Sequence, residues 1–234
     1  MSDDGLIPIL YVEGQDDLGV ISNLLRRHGV DTDRGRRHLK IKPQGSLDSL
    51  LTNMPDAIRS ATDRPVAFIV DIDIDIQHRW DAVRGRLHTI GVNAPATCPV
   101  DCFFANLPDY SSLFGIWLMP DCETDGLRLE HLVQSLMPSD HPLWPLARSS
   151  VQRAAAILES ANSGIADDER KWKGFGDTAR IKAEVRTWLA WQREPGVQLG
   201  AAINDHILGA DSPQAMAILR WLNRIYGFDE LLNV

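Results

Sequence analysis

No stretch of the 234-residue chain approaches the ~18 consecutive apolar residues that a bilayer-spanning helix needs, which sets membrane-embedded classes aside. Cysteine is scarce. The three present are an odd number, which suits reduced thiols better than a disulfide-stapled secreted domain. Basic residues are outnumbered, 24 Lys and Arg against 32 Asp and Glu, for a net charge of −8. That excludes attraction of nucleic acid or anionic lipid over the whole surface, though not docking through a local basic patch. No Gly-x-x-x-x-Gly-Lys-Ser/Thr run and no His-Glu-x-x-His run occurs, so a phosphate-loop ATPase and a zincin-type protease are excluded. Met1-Ser2-Asp3-Asp4 is acidic where a signal peptide would be basic and then apolar, so a cytoplasmic protein is expected.

What remains is an ordinary globular composition, 44% hydrophobic and 24% charged, with enough chain to bury a core. Residues 7–12 form a short β-branched run closed by Glu13-Gly14, a buried strand. Gln15-Asp16-Asp17 starts a helix whose Leu18, Ile21, Leu24 and Leu25 fall on one face. A weak strand at 39–41 and an amphipathic helix over 47–61 follow, with Pro55 expected to kink or end that helix. Residues 65–70 and 114–119 are continuous apolar runs, as strands buried on both faces should be. Helices are expected over 80–90 and 127–136. The alternation predicts an α/β domain with a mainly parallel sheet over residues 1–137. Pro138, Pro142 and Pro145 mark a break. Helical patterns then fill 146–161, 179–192 and 213–226, so 138–234 is expected to be a helical extension packed on the core.

The acids fall at strand ends. Glu13 closes the first strand, Asp71 the third, with Asp73 and Asp75 after it, and Asp121 the last. In open parallel sheets the carboxyl ends of the strands form the ligand crevice. If 71–75 continued as a strand, three carboxylates would line one face. Like charges at that range repel by about 1 kcal/mol per pair in water, and more when buried. A divalent cation relieves that repulsion, and oxygen donors suit Mg²⁺ or Mn²⁺. A solvated turn after a strand is the plainer alternative.

Tyr11-Val12-Glu13-Gly14, followed by Asp17, resembles the first motif of Toprim domains, and Val70-Asp71-Ile72-Asp73 resembles the second. Such domains occur in topoisomerases, bacterial primases, OLD-type nucleases and ribosomal-RNA-processing ribonucleases. The segments 115–121, Leu129-Glu130 and 188–192 look like a stand-alone, uncharacterised Toprim-related family. The resemblance implies a Toprim-like Rossmannoid sheet flanked by helices. It implies Glu13 as general acid or base and Asp71 with Asp73 as holders of Mg²⁺ or Mn²⁺. Asp75, Asp121 and Glu130 would support a second metal by analogy with two-metal OLD-type nucleases. Asp17 is either an outer-sphere member or a complement to the helix dipole. The implied activity is phosphodiester hydrolysis, or a related phosphotransfer, on DNA or RNA, with a separately encoded ATPase as a partner protein.

Outside these motifs the expectations are plainer. Cys98, Cys102, Cys122 and His131 lack the paired short spacings of a zinc site and are expected as buried reduced thiols and an ordinary histidine. Lys171, Lys173, Arg180 and Lys182 are either a solvated helical face or phosphate contacts, Lys182 also being a candidate to stabilise transition-state charge. Trp188 and Trp191 are expected in the core of the extension. Two other functional classes stay open. One is a catalytically silent Toprim-like binding or regulatory module. The other is a receiver-like phosphoacceptor, suggested by Asp16-Asp17 and Asp71 but lacking a lysine anywhere between Lys42 and Lys171.

Overall fold

The computed structural model describes residues 7–30, 32, 39–61, 63–73, 75–106, 113–166, 168–174 and 176–228. The acidic start at residues 1–4 lies outside them. In chain order the elements are β1 (Ile9–Val12), α1 (Gln15–Arg27), β2 (Lys40–Pro43), α2 (Leu47–Ser60), β3 (Val66–Asp71), α3 (Ile76–His88), β4 (Phe103–Asn106), β5 (Leu113–Met119), α4 (Leu129–Ser135), α5 (Leu143–Ala161), α6 (Asp177–Ala190), α7 (Leu199–Asn204) and α8 (Pro213–Tyr226). They form two compact units, Met1–Leu136 with Gln198–Val234, and Met137–Val197.

The first unit holds a sheet of order β2-β1-β3-β5-β4. β1 runs parallel to β2 and β3, and β3 parallel to β5 with Asp71 opposite Met119. Only β4 is antiparallel, paired to β5 with Phe103 opposite Ile116. β3 and most of β5 are buried along their length, as their unbroken apolar runs require. α1 buries Val20, Ile21, Leu24 and Leu25, and α8 buries Ile218, Leu219, Leu222 and Ile225. α2 runs through Pro55 to Ser60 without ending there. Leu50, Leu51, Met54 and Ile58 are buried on both sides of the proline, and their packing outweighs the one lost backbone hydrogen bond.

Two expectations are corrected here. The segment 138–234 is not one extension, because α7 and α8 return to the sheet unit. α7 crosses α1 at Gly200, and α8 covers β5 at Gly115, where a Cβ would lie 2.4 Å from Ile225 Cδ1. The cysteines are not all reduced. Cys102, just before β4, and Cys122, just after β5, form a disulfide with Cα atoms 5.8 Å apart. The β4–β5 ladder brings these two points together, which sequence spacing does not reveal. Cys98 is the free thiol, and burial pushes its pKa up to about 11.

The α1–α7 crossing gives a direct test of packing. A Cβ on Gly200 would lie 2.3 Å from the Gly19 carbonyl oxygen, whereas one on Gly19 would stand 3.7 Å from Gly200 Cα. Backbone cannot yield as a side-chain tip can. Gly200→Ala is therefore expected to destabilise the fold by about 2–3 kcal/mol as overpacking does. Gly19→Ala should be neutral or slightly stabilising through helix propensity. Thermal melts of both variants check this; equal melting temperatures would refute the close crossing.

The second unit is a pair of helices, α5 and α6, closed over Ala147, Val151, Val185, Trp188 and Leu189. The Trp188 indole N–H donates to His141 Nδ1 at 3.0 Å. Trp191, expected in the core, is 39% exposed instead. Buried Glu184 pairs with Arg180 at 3.2 Å and Arg148 at 3.6 Å. No helix among the described residues is long and apolar enough to cross a membrane.

Candidate acidic crevice at the strand ends

β1 and β3 are neighbours and parallel, so Glu13 and Asp71 leave the sheet at the same edge. Glu13 is half-buried, and its carboxyl accepts the backbone N–H of Leu47 at the start of α2. Its Oε2 is buried and has no hydrogen-bond partner. Asp71 Oδ1 is likewise buried and unpartnered. Asp17, one turn into α1, is buried and accepts the Gly14 N–H at 2.8 Å. Glu130, buried on α4, completes the set.

These carboxyls feel one another. Burial, then the charges of Asp17, Glu13, Asp73 and Glu130, hold the Asp71 carboxyl well above the usual carboxylate range. Burial, with Glu13 and Asp16 nearby, lifts Asp17 to about 6 against the pull of the Gly14 N–H. Glu13 is raised by burial and Asp73, and drawn back by Arg79, Leu47 N–H and Arg128. Three stretches of chain, 13–17, 71–73 and Glu130, thus deliver carboxyls to one cluster of interacting charges.

Asp73 takes a different course from a strand residue. Its φ is 66°, the left-handed region that aspartate tolerates better than most residues. The chain turns there instead of continuing as a strand, so Asp71, Asp73 and Asp75 do not line one strand face. Asp73 Oδ2 receives Arg79 at 2.6 Å and Oδ1 receives Arg128 at 3.3 Å. Arg79, on the first turn of α3, has a side chain only 10% exposed, and its Nε lacks an acceptor. Arg128, at the start of α4, is 26% exposed.

Two of the remaining sequence candidates already serve the backbone. Asp75 is the N-cap of α3 and accepts the His78 N–H. Asp121 closes a turn, its Oδ1 accepting from Glu123 N at 3.1 Å and Thr124 N at 2.8 Å. Lys182 lies on α6, in the second unit. Arg79 and Arg128 were not anticipated. The legible signal was thin: Arg79 follows the aspartates within one helical turn, and Arg128 precedes Leu129-Glu130.

The donors are all oxygen, which matches the preference of Mg²⁺ or Mn²⁺. Among the described residues, no three Asp, Glu, His or Cys side chains converge closely enough to ligate one cation as they stand. An open, mostly parallel α/β sheet with a coupled carboxylate cluster beyond its strand ends is the class these features define. The chain belongs to DUF3226, a family described as proteins of unknown function, which it matches over residues 7–227. Comparison with curated proteins and with solved structures returned no match.

Proposed function

We propose that the chain is a Toprim-like nuclease that hydrolyses phosphodiesters of DNA or RNA with Mg²⁺ or Mn²⁺. The observation that carries this reading is the pair of buried, unpartnered oxygens, Glu13 Oε2 and Asp71 Oδ1, inside a cluster of mutually repelling acids. Buried polar atoms are nearly always satisfied, and orphans inside a cleft call for a ligand. The donor chemistry fits a hard divalent cation, which Asp71 and Asp73 would hold with Glu130 as a further donor. Such a cation supplies charge stabilisation at the phosphoryl oxygen and an acidified water. Glu13, its pKa raised by burial and its carboxyl braced by the Leu47 N–H, moves the proton between the attacking water and the leaving oxygen. Asp17 holds the Gly14 backbone and with it the direction of Glu13. Asp75 and Asp121 are given structural roles, because Oδ1 of each already accepts backbone N–H groups of its own cap or turn. Lys182 is assigned a contact to the phosphate backbone, and an ATPase on a separate chain is the proposed protein partner.

A second reading, the catalytically silent module, draws on one observation. Both Asp73 oxygens are already taken by arginines. Thermal melts separate the two. A nuclease site should gain about 2.7 kcal/mol from Mn²⁺ at a hundredfold excess over its dissociation constant. Asp71→Asn with Asp73→Asn should abolish the gain, and single- and double-stranded DNA and RNA should be cut only by the unsubstituted protein. No Mn²⁺ shift and no cleavage across the panel selects the binding module.

A further inference from the structure

We propose that Arg79 and Arg128 are the phosphate-binding groups of this site and that Asp73 occupies them until it turns to a divalent cation. The inference rests on the metal-dependent reading and adds what recognises the substrate. Its basis is the geometry around Asp73. Arg79 is a permanently charged side chain nine-tenths buried, with Nε lacking any acceptor while one Nη contacts Asp73. A guanidinium presents a fork of donors suited to a carboxylate or a phosphate, so an unfilled donor on a buried arginine indicates incomplete recognition. Arg128 makes the longer contact, 3.3 Å against 2.6 Å, and is the more exposed of the two. It is the group best able to leave. Asp73 sits two residues beyond Asp71, in the left-handed turn that aims its carboxylate back at the two guanidiniums. One carboxylate therefore occupies both arginines at the rim of the acid cluster.

The exchange explains how so acidic a protein admits a polyanion. With Asp73 on its arginines, the crevice presents the buried, unpartnered oxygens of Glu13 and Asp71 and disfavours phosphate. With Asp73 drawn to a cation, Arg128 and the Nη that Asp73 releases on Arg79 become available as anion donors. Metal and phosphodiester should then bind with positive coupling, and by linkage the coupling must be reciprocal.

The test is a set of binding measurements on the full chain, independent of turnover. Calorimetry reads Mn²⁺ affinity, and anisotropy reads a short fluorescein-labelled oligodeoxythymidylate with and without Mn²⁺. In the unsubstituted protein Mn²⁺ should tighten oligonucleotide binding by about fivefold or more, the usual range for coupled sites. Asp73→Asn should raise the metal-free oligonucleotide affinity. Arg128→Gln should tighten Mn²⁺ binding, weaken the oligonucleotide and erase its response to Mn²⁺. In the double variant the gain from Asp73→Asn should vanish, whereas a general effect of net charge would leave the two changes additive. Arg79→Lys, which keeps the charge but loses the fork, should weaken the oligonucleotide more than Mn²⁺ and guards against a fold defect. If Mn²⁺ binds and Arg128→Gln leaves both affinities unchanged, the exchange is overturned while the metal reading stands. If Mn²⁺ does not bind the unsubstituted protein, the metal reading falls and the exchange with it.

Discussion

Glu13→Gln is expected to lower Mn²⁺-dependent cleavage by about 10²–10⁴-fold, the range that a positioned acid–base group contributes. Glutamine preserves the length of the side chain and can still accept the Leu47 N–H, so the local fold at the start of α2 should hold. What it loses is the titratable proton. Because the assignment gives metal binding to Asp71 and Asp73, calorimetry should find Mn²⁺ affinity changed only severalfold. A variant that cuts at the normal rate would remove Glu13 from proton transfer. One that fails to bind Mn²⁺ would make Glu13 a ligand instead, and the division of labour among the acids would have to be redrawn.

The metal-free protein is expected to lose stability as pH rises through the acid cluster. Asp17 titrates at about 6 in the folded chain against an ordinary 3.8, and Asp71 is shifted the same way by burial and by Asp17 and Glu13. The folded state therefore keeps protons that the unfolded state has already released. The stabilisation is complete below about pH 4 and is lost as pH passes through 6, so stability falls with pH over that window. For buried Asp17 alone the shift corresponds to roughly 3 kcal/mol. Asp71→Asn removes a carboxyl whose ionised form the fold disfavours. It should melt higher than the unsubstituted protein at pH 7.5, and the difference should shrink by pH 4.5. A variant destabilised equally at both pH values would show that Asp71 acts through hydrogen bonding or packing and not through charge.

Much of the sheet unit could be read from the chain. β1, β3 and β5 are short apolar runs bounded by turn residues, and α1, α2 and α8 carry strong one-sided apolar patterns. The strand β4 escaped notice because Phe103–Asn106 is short and is defined by its pairing with β5. α7 escaped because six residues carry too little periodicity, and its place is fixed by the glycine contact with α1. At the site, Glu13 and Asp71 were legible from strand ends, since topology alone carries them to one rim. Asp75 and Asp121 were not separable from them by residue type. Only the structure shows that one caps α3 and the other closes a turn. Arg79 and Arg128 lie on elements six and fifty-five residues beyond Asp73. An ion pair formed across loops leaves no local pattern to find.

The discontinuity of the sheet unit also sets an order in time. Every strand is synthesised before the helical pair 137–197, yet α8, which covers β5 at Gly115, comes after it. While a ribosome is still making α5 and α6, the nascent sheet holds β5 without its cover, and Tyr226 has not yet reached the Ile9 carbonyl oxygen that accepts its hydroxyl at 2.8 Å. The unit can close only when residues 213–226 have left the exit tunnel. A chain stopped before residue 213 would carry all five strands and an uncovered apolar face, a species prone to chaperone capture or aggregation rather than to independent folding.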